Sequence, residues 1–194
     1  MPDDLGLLLV AMEPPPGLEE EFNDWYDTEH LPQRRALPGF LSGRRFVCVD
    51  GWPRYAALYD LTSAAALDSP GYRAVSGTNP TPWSRRILPR TVGRRRVVAR
   101  QIAPGGETLT VQPISRLMIA RLHQAGHAPD LIRSWRDTTV SGLLQARLFL
   151  VDDGEAWLVA AFDRPLPHAA LIAPAAQLGS ADVCNIYVPY HRLA

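Results

Sequence analysis

Eight short apolar runs, none long enough to cross a membrane as a helix, carry the hydrophobic pattern of this chain. Leu5–Met12 is continuously apolar, which suits a strand buried on both faces. Three prolines within Glu13–Gly17 break it. From about Leu18 to His30 the apolar residues recur at helical spacing, with Leu18, Phe22, Trp25 and Tyr26 on one side. Leu31-Pro32 disturbs that helix, and Pro38-Gly39 ends any continuation through Arg34–Leu37. Phe40–Val49 reads as a second strand, Asp50–Pro53 as a turn, and Arg54–Leu61 as a third strand with Tyr55, Ala57 and Tyr59 on one face. Ser63–Val75 predicts a helix broken at Pro70-Gly71. Asn79–Pro89 is a loop with a short helical piece, and Arg94–Ile102 a fourth strand. The order is β-α-β-β-α-β, the ferredoxin-like pattern.

The pattern then starts again. Arg116–Leu122 predicts a strand, Pro129–Val140 a helix, Leu143–Val151 and Ala156–Phe162 a hairpin around Asp152-Asp153-Gly154, Pro167–Leu178 a helix, and Asp182–Val188 a last strand. Trp25-Tyr26-Asp27-Thr28 is echoed by Trp135-Arg136-Asp137-Thr138, and Tyr59-Asp60 by Phe162-Asp163. These observations predict an α+β fold of two tandem ferredoxin-like β-α-β-β-α-β repeats forming an intramolecular α+β barrel. The expected units are a first repeat at 1–103, a linker at 104–111 and a second, degenerate repeat at 112–194. Each four-stranded sheet has one face bare of helices, so two sheets packed face to face would cover each other.

Composition narrows the function. The net charge of the 194 residues is zero, which argues against a general affinity for nucleic acid or an anionic membrane. All 20 basic residues are Arg, so lysine Schiff-base chemistry is excluded. Cys48 and Cys184 sit in strand-like apolar runs and read as packed, reduced thiols. The N-terminus lacks the basic start of a secretion signal, and a cytoplasmic location is expected.

The helix from Leu18 to His30 holds the candidate chemistry. At helical spacing Glu29 falls in the middle of the apolar stripe and His30 at its edge. A buried carboxylate needs a partner or a use. Arg44 or Arg45 on the next strand is the expected partner for Glu29, with Tyr55 or Tyr59 as the alternative donor. His30 is suited to proton transfer near neutral pH, or equally to capping a helix end. Tyr55, Tyr59 and Tyr72 are candidate pocket hydroxyls, although strand tyrosines commonly only pack. His123 and His127 lack a third ligand, so no metal is expected. Arg94-Arg95-Arg96 alternates faces along a strand and reads as a solvated edge.

The run Trp25-Tyr26-Asp27-Thr28-Glu29-His30-Leu31-Pro32, with Leu37-Pro38-Gly39-Phe40, Arg54-Tyr55, Ser69–Ala74 and Thr81–Ser84, resembles the dimeric α+β barrel superfamily, in particular its EthD-like members. The resemblance covers about residues 5–102 and says little about the reaction. It implies a pocket between sheet and helices lined by Trp25, Tyr26, Glu29 and His30. Many relatives are single-repeat dimers, which leaves room for a homodimer here. The implied function is that of a cofactor-independent enzyme doing proton transfer, as a cyclase, isomerase, dehydratase or monooxygenase, on a small apolar organic substrate. His30 and Glu29 are its catalytic candidates, and Trp25, Tyr26, Arg44, Tyr55, Tyr59 and Tyr72 its binding candidates. A non-catalytic ligand-binding protein is the alternative. A haem protein of the same superfamily, which purification would reveal by its colour, is the third reading.

Overall fold

The computed structural model describes residues 5–109, 113–123, 129–130, 132, 141–171 and 180–191. Eight antiparallel strands form it: β1 (Gly6–Glu13), β2 (Arg44–Asp50), β3 (Tyr55–Leu61), β4 (Val92–Ala103), β5 (Arg116–His123), β6 (Leu143–Leu150), β7 (Ala156–Phe162) and β8 (Ser180–Pro189). The order across the sheet is β1-β3-β2-β8-β5-β7-β6-β4, and β4 returns to pair with β1, closing the ring. Within each half the connectivity is ferredoxin-like: β4-β1-β3-β2 in the first and β8-β5-β7-β6 in the second.

This corrects the expected fold class. The halves are not two separate sheets that only cover each other's bare faces. Strand β2 pairs with β8 and β4 with β6, so the halves join edge to edge into one eight-stranded antiparallel sheet with interspersed helices. The reason is that a four-stranded sheet has unpaired backbone at its edges as well as a bare face, and pairing satisfies those groups. The helical elements also differ from the expected pattern. Helix α1 (Glu19–Trp25) runs through a π-helical turn, Tyr26–His30, into α2 (Leu31–Arg35). The second helical region is a set of short pieces: a 3-10 turn at Ala64–Asp68, α3 (Pro70–Arg73), α4 (Pro82–Ile87) and a further turn at Leu88–Arg90. Pro70 and Pro82 each open a new helix because proline fits the first turn, and Ser69 and Thr81 cap them. Trp135, Thr139, Val140 and His127 lie outside the described residues, as do most of the expected helices Pro129–Val140 and Pro167–Leu178.

Strand β1 explains why its sequence is apolar throughout. Leu7, Leu9 and Ala11 point into the space between the halves, where they meet Leu58, Val97, Phe149, Trp157 and Val159. Leu8 and Met12 point the other way, toward Phe22, Trp25 and Tyr26 of the helical layer. Among the described residues both cysteines are free and partly buried. One ion pair is sealed inside: Arg147 Nη1 of β6 lies 2.5 Å from Asp60 Oδ1 of β3, with both side chains almost wholly buried. Asp60 also accepts from the Ser42 hydroxyl (2.7 Å) and the Leu109 backbone N–H (2.8 Å), so it ties both halves to the segment between them.

Candidate functional site

The π-helical turn decides where the candidate residues point. Pro32 has no N–H to offer the preceding turn, and the Leu31 N–H bonds the Tyr26 carbonyl, five residues back. Such a turn holds one residue more than an α-helical turn. His30 therefore takes the inward direction that an uninterrupted helix would give to Glu29. Its ring packs on Trp25 (centroids 4.4 Å apart) and edge-on to Tyr26 (5.0 Å).

Between this layer and the sheet lies a cavity of about 410 Å³. Its apolar wall includes Leu8, Val10 and Met12 from β1, with Val75 and Leu88 from the cover. His30, Tyr59, Tyr72 and Arg34 supply the polar groups of the wall, and Arg94, Arg95 and Arg96 also border it. His30 Nδ1 is buried and has no hydrogen-bond partner among the described residues. Burial, and then the charges of Arg34 and Arg45, push its pKa down to about 3, so the imidazole is neutral at physiological pH. Burial likewise drives Tyr59 well above its usual value and raises Tyr26. The Tyr59 hydroxyl donates to Tyr26 Oη at 3.3 Å, just behind the wall. A neutral imidazole beside two protonated phenols and a guanidinium can exchange protons with a ligand and hold an anion.

Glu29 points away from the cavity. It accepts the Thr81 hydroxyl at 2.5 Å, and Thr81 in turn accepts from the Ser84 N–H (3.0 Å) as the cap of α4. Ser84 Oγ lies 2.9 Å from Thr81 Oγ1 and accepts from Trp25 Nε1 (3.1 Å). The expected Arg partner for Glu29 is thus replaced by a threonine, and the carboxylate ties the π turn to α4. Arg45 has other partners: Asp27 Oδ1 at 2.5 Å and Asn23 Oδ1 at 2.6 Å. Its guanidinium also lies over the rings of Tyr26 (4.5 Å) and Tyr190 (4.1 Å).

The structure brings only part of the expected set together. His30, Tyr59 and Tyr72 share the cavity wall. Trp25 and Tyr26 are buried behind it and do not border it. Tyr55 donates to Glu19 (2.6 Å) and accepts from Asn23 (3.1 Å), away from the cavity. Arg44 lines a separate cleft of about 580 Å³ with Arg35 and Tyr190. Arg34 was absent from the sequence expectation, although its place one helical turn after His30 was a usable signal. Arg94 and Arg96 are exposed, as a solvated edge would be, and also border the cavity, whereas Arg95 turns to the other face of β4 with its guanidinium 5.4 Å from the centre of the Trp157 ring. Among the described residues no group of three or more His, Cys, Asp or Glu side chains is placed to hold a metal ion. No described helix is long and apolar enough to cross a membrane.

No protein-family model matches the chain, and no curated protein matches it. Solved structures do. An anthrone oxidase-like protein superposes with a TM-score of 0.64 at 12% identity, over 97% of this chain and 92% of its own. A protein provisionally described as a chlorite dismutase gives 0.65 at 9% identity, over 97% and 95%. One provisionally described as a monooxygenase, from Lactobacillus acidophilus, gives 0.53 at 10% identity, over 96% and 93%. At these identities the likeness is one of fold: the chain shares its tandem ferredoxin-like architecture with these solved structures.

Proposed function

We propose that the cavity beside His30 binds a small, largely apolar organic molecule, and that the protein is a cofactor-independent enzyme transferring a proton on it. The observation that carries the reading is the His30 imidazole on the wall of a 410 Å³ cavity, with its Nδ1 buried and without a hydrogen-bond partner among the described residues. A buried polar atom without a partner is costly, and a ring left so beside a cavity is consistent with a role for that ring toward a ligand. The cavity is also large enough for a multi-ring ligand, since about 150 Å³ accommodates one benzene.

The step is a single proton transfer. A C–H or O–H bond of the ligand breaks, an N–H bond forms on His30, and the electron pair stays on the ligand as an enolate or phenolate. A base held near pKa 3 is too weak to do this unaided. The anion formed beside Arg34 offsets the repulsion that keeps the ring neutral, so imidazolium and anion would form together. The oxidase and monooxygenase descriptions of structural neighbours are compatible with carbanion chemistry of this kind, and they are properties of those proteins.

Native mass spectrometry of the purified full chain, with a panel of polycyclic phenols and ketones, tests the binding. Val10→Phe should fill the cavity. Retention of a ligand by wild type and its loss in this variant supports the reading; equal retention by both overturns it. Turnover of a bound ligand that disappears in His30→Ala separates the enzyme from a carrier.

A further inference from the structure

The arginines of the cavity lack the carboxylate partners that several arginines elsewhere in the chain have. Arg45, Arg54, Arg86, Arg121 and Arg147 each lie against a carboxylate: Asp27, Glu19, Glu21, Asp182 and Asp60 respectively. Arg34, Arg94 and Arg96 border the cavity, and among the described residues none has an ion pair with Asp or Glu, nor does any Asp or Glu line the wall. The guanidinium of Arg95 lies on the other face of the sheet, 5.4 Å from the centre of the Trp157 ring. Three arginines therefore border one small volume without an acidic partner among the described residues.

Arg34 is the informative member, since it is buried while Arg94 and Arg96 are exposed. It is held in place without a counter-ion. It donates to the Val75 carbonyl at 2.8 Å and to Gln33 Oε1 at 3.0 Å, and its guanidinium lies 5.3 Å from the centre of the Tyr72 ring. Arg96 donates to the Tyr72 hydroxyl at 3.4 Å, so Tyr72 organises both cations. A buried charge given only neutral partners is expensive, and its cost falls when an anion arrives. The rest of the wall, with Leu8, Val10, Met12 and Leu88, is apolar.

We propose that the ligand is an organic carboxylate, an apolar body of about two or three rings carrying one anionic group that seats against Arg34 and Arg96. The proposal rests on the binding reading above and adds the charge of the ligand to it. The apolar body lies along β1, and the carboxylate accepts from the guanidiniums that have no carboxylate of their own. Seating it next to Arg34 also cancels part of the field that suppresses His30, so the correct ligand would raise the basicity of the residue it meets.

Calorimetric titration of the full chain with 2-naphthoate and with its neutral isostere 2-naphthamide tests this. The expected result is at least a tenfold preference for the acid, reduced by added salt. Arg34→Gln should lower the affinity for naphthoate about tenfold and change that for the amide less than twofold. Should Arg34→Gln not fold, as judged by circular dichroism, Arg96→Gln carries the same comparison, because Arg96 is exposed. Equal affinity for acid and amide, or a preference untouched by the substitution that folds, overturns the anionic ligand and leaves the apolar cavity standing. Binding of neither compound overturns the cavity reading, and this proposal with it.

Discussion

The two faces of β1 do opposite things with similar residues. Leu7, Leu9 and Ala11 enter the space between the halves and pack there with Phe46, Phe149 and Trp157, leaving a gap of only about 60 Å³. Leu8, Val10 and Met12 enter the helical layer and border an empty volume. The difference lies in what covers each face. The inner face receives long side chains from every strand of a continuous sheet. The outer face is covered by helical pieces that prolines and a π turn keep short, and such pieces do not interdigitate along the full length of a strand. Carboxylate pairing follows part of the same division. Asp60 and Arg147 inside form an ion pair, although Arg147 Nε and Nη2 have no partner among the described residues, whereas Arg34 outside has only neutral acceptors and His30 Nδ1 has none. A filled interior gives stability and an unfilled layer gives a site.

Breaking the inner face should have the largest effect. Asp60→Asn leaves Arg147 buried without its carboxylate and should cost about 3–5 kcal/mol in urea unfolding, with the cavity unaltered. The outer face should instead show itself through pH. Native His30 has a pKa of about 3 against the ordinary 6.5. Below about 6.5 the unfolded chain takes up a proton that the native protein refuses until about pH 3, so stability is present above that window and lost as pH falls through it. The loss should be on the order of a few kcal/mol, and His30→Gln should flatten that part of a stability–pH curve. Thr81→Val removes both the cap of α4 and the tie to Glu29, and should cost about 1–2 kcal/mol in thermal unfolding. Val10→Phe tests the contrast most gently. On a filled face it would overpack and cost about 1–3 kcal/mol; beside a real cavity it should cost less than about 1 kcal/mol.

Much of the fold is legible because strand periodicity survives tertiary context. The run Leu5–Met12, the face shared by Tyr55, Ala57 and Tyr59, and the order of all eight strands follow from apolar spacing alone. The joining of the halves was not legible, since a strand's sequence does not reveal which edge it pairs with. The stretch around Glu29 and His30 does reach a cavity, through His30, but helical phase exchanges the directions of the two residues, because one extra residue in the turn before Pro32 is invisible to a 3.6-residue period. Arg45 could not be told from Arg44 by sequence; its partner Asp27 sits in the same π turn and draws it away from Glu29. Arg34 and the Arg94–Arg96 run were recognisable as charge and not as lining, because lining depends on a gap that no local pattern encodes.

The unpartnered, neutral His30 at the cavity is the claim on which the functional reading stands. Histidine-ring NMR, with the signal assigned by its absence in His30→Gln, measures it directly. The expected result is one imidazole that stays neutral down to about pH 4 and whose resonances shift when 2-naphthoate is added. A His30 ring that titrates near pH 6.5 and does not respond to ligand would contradict it.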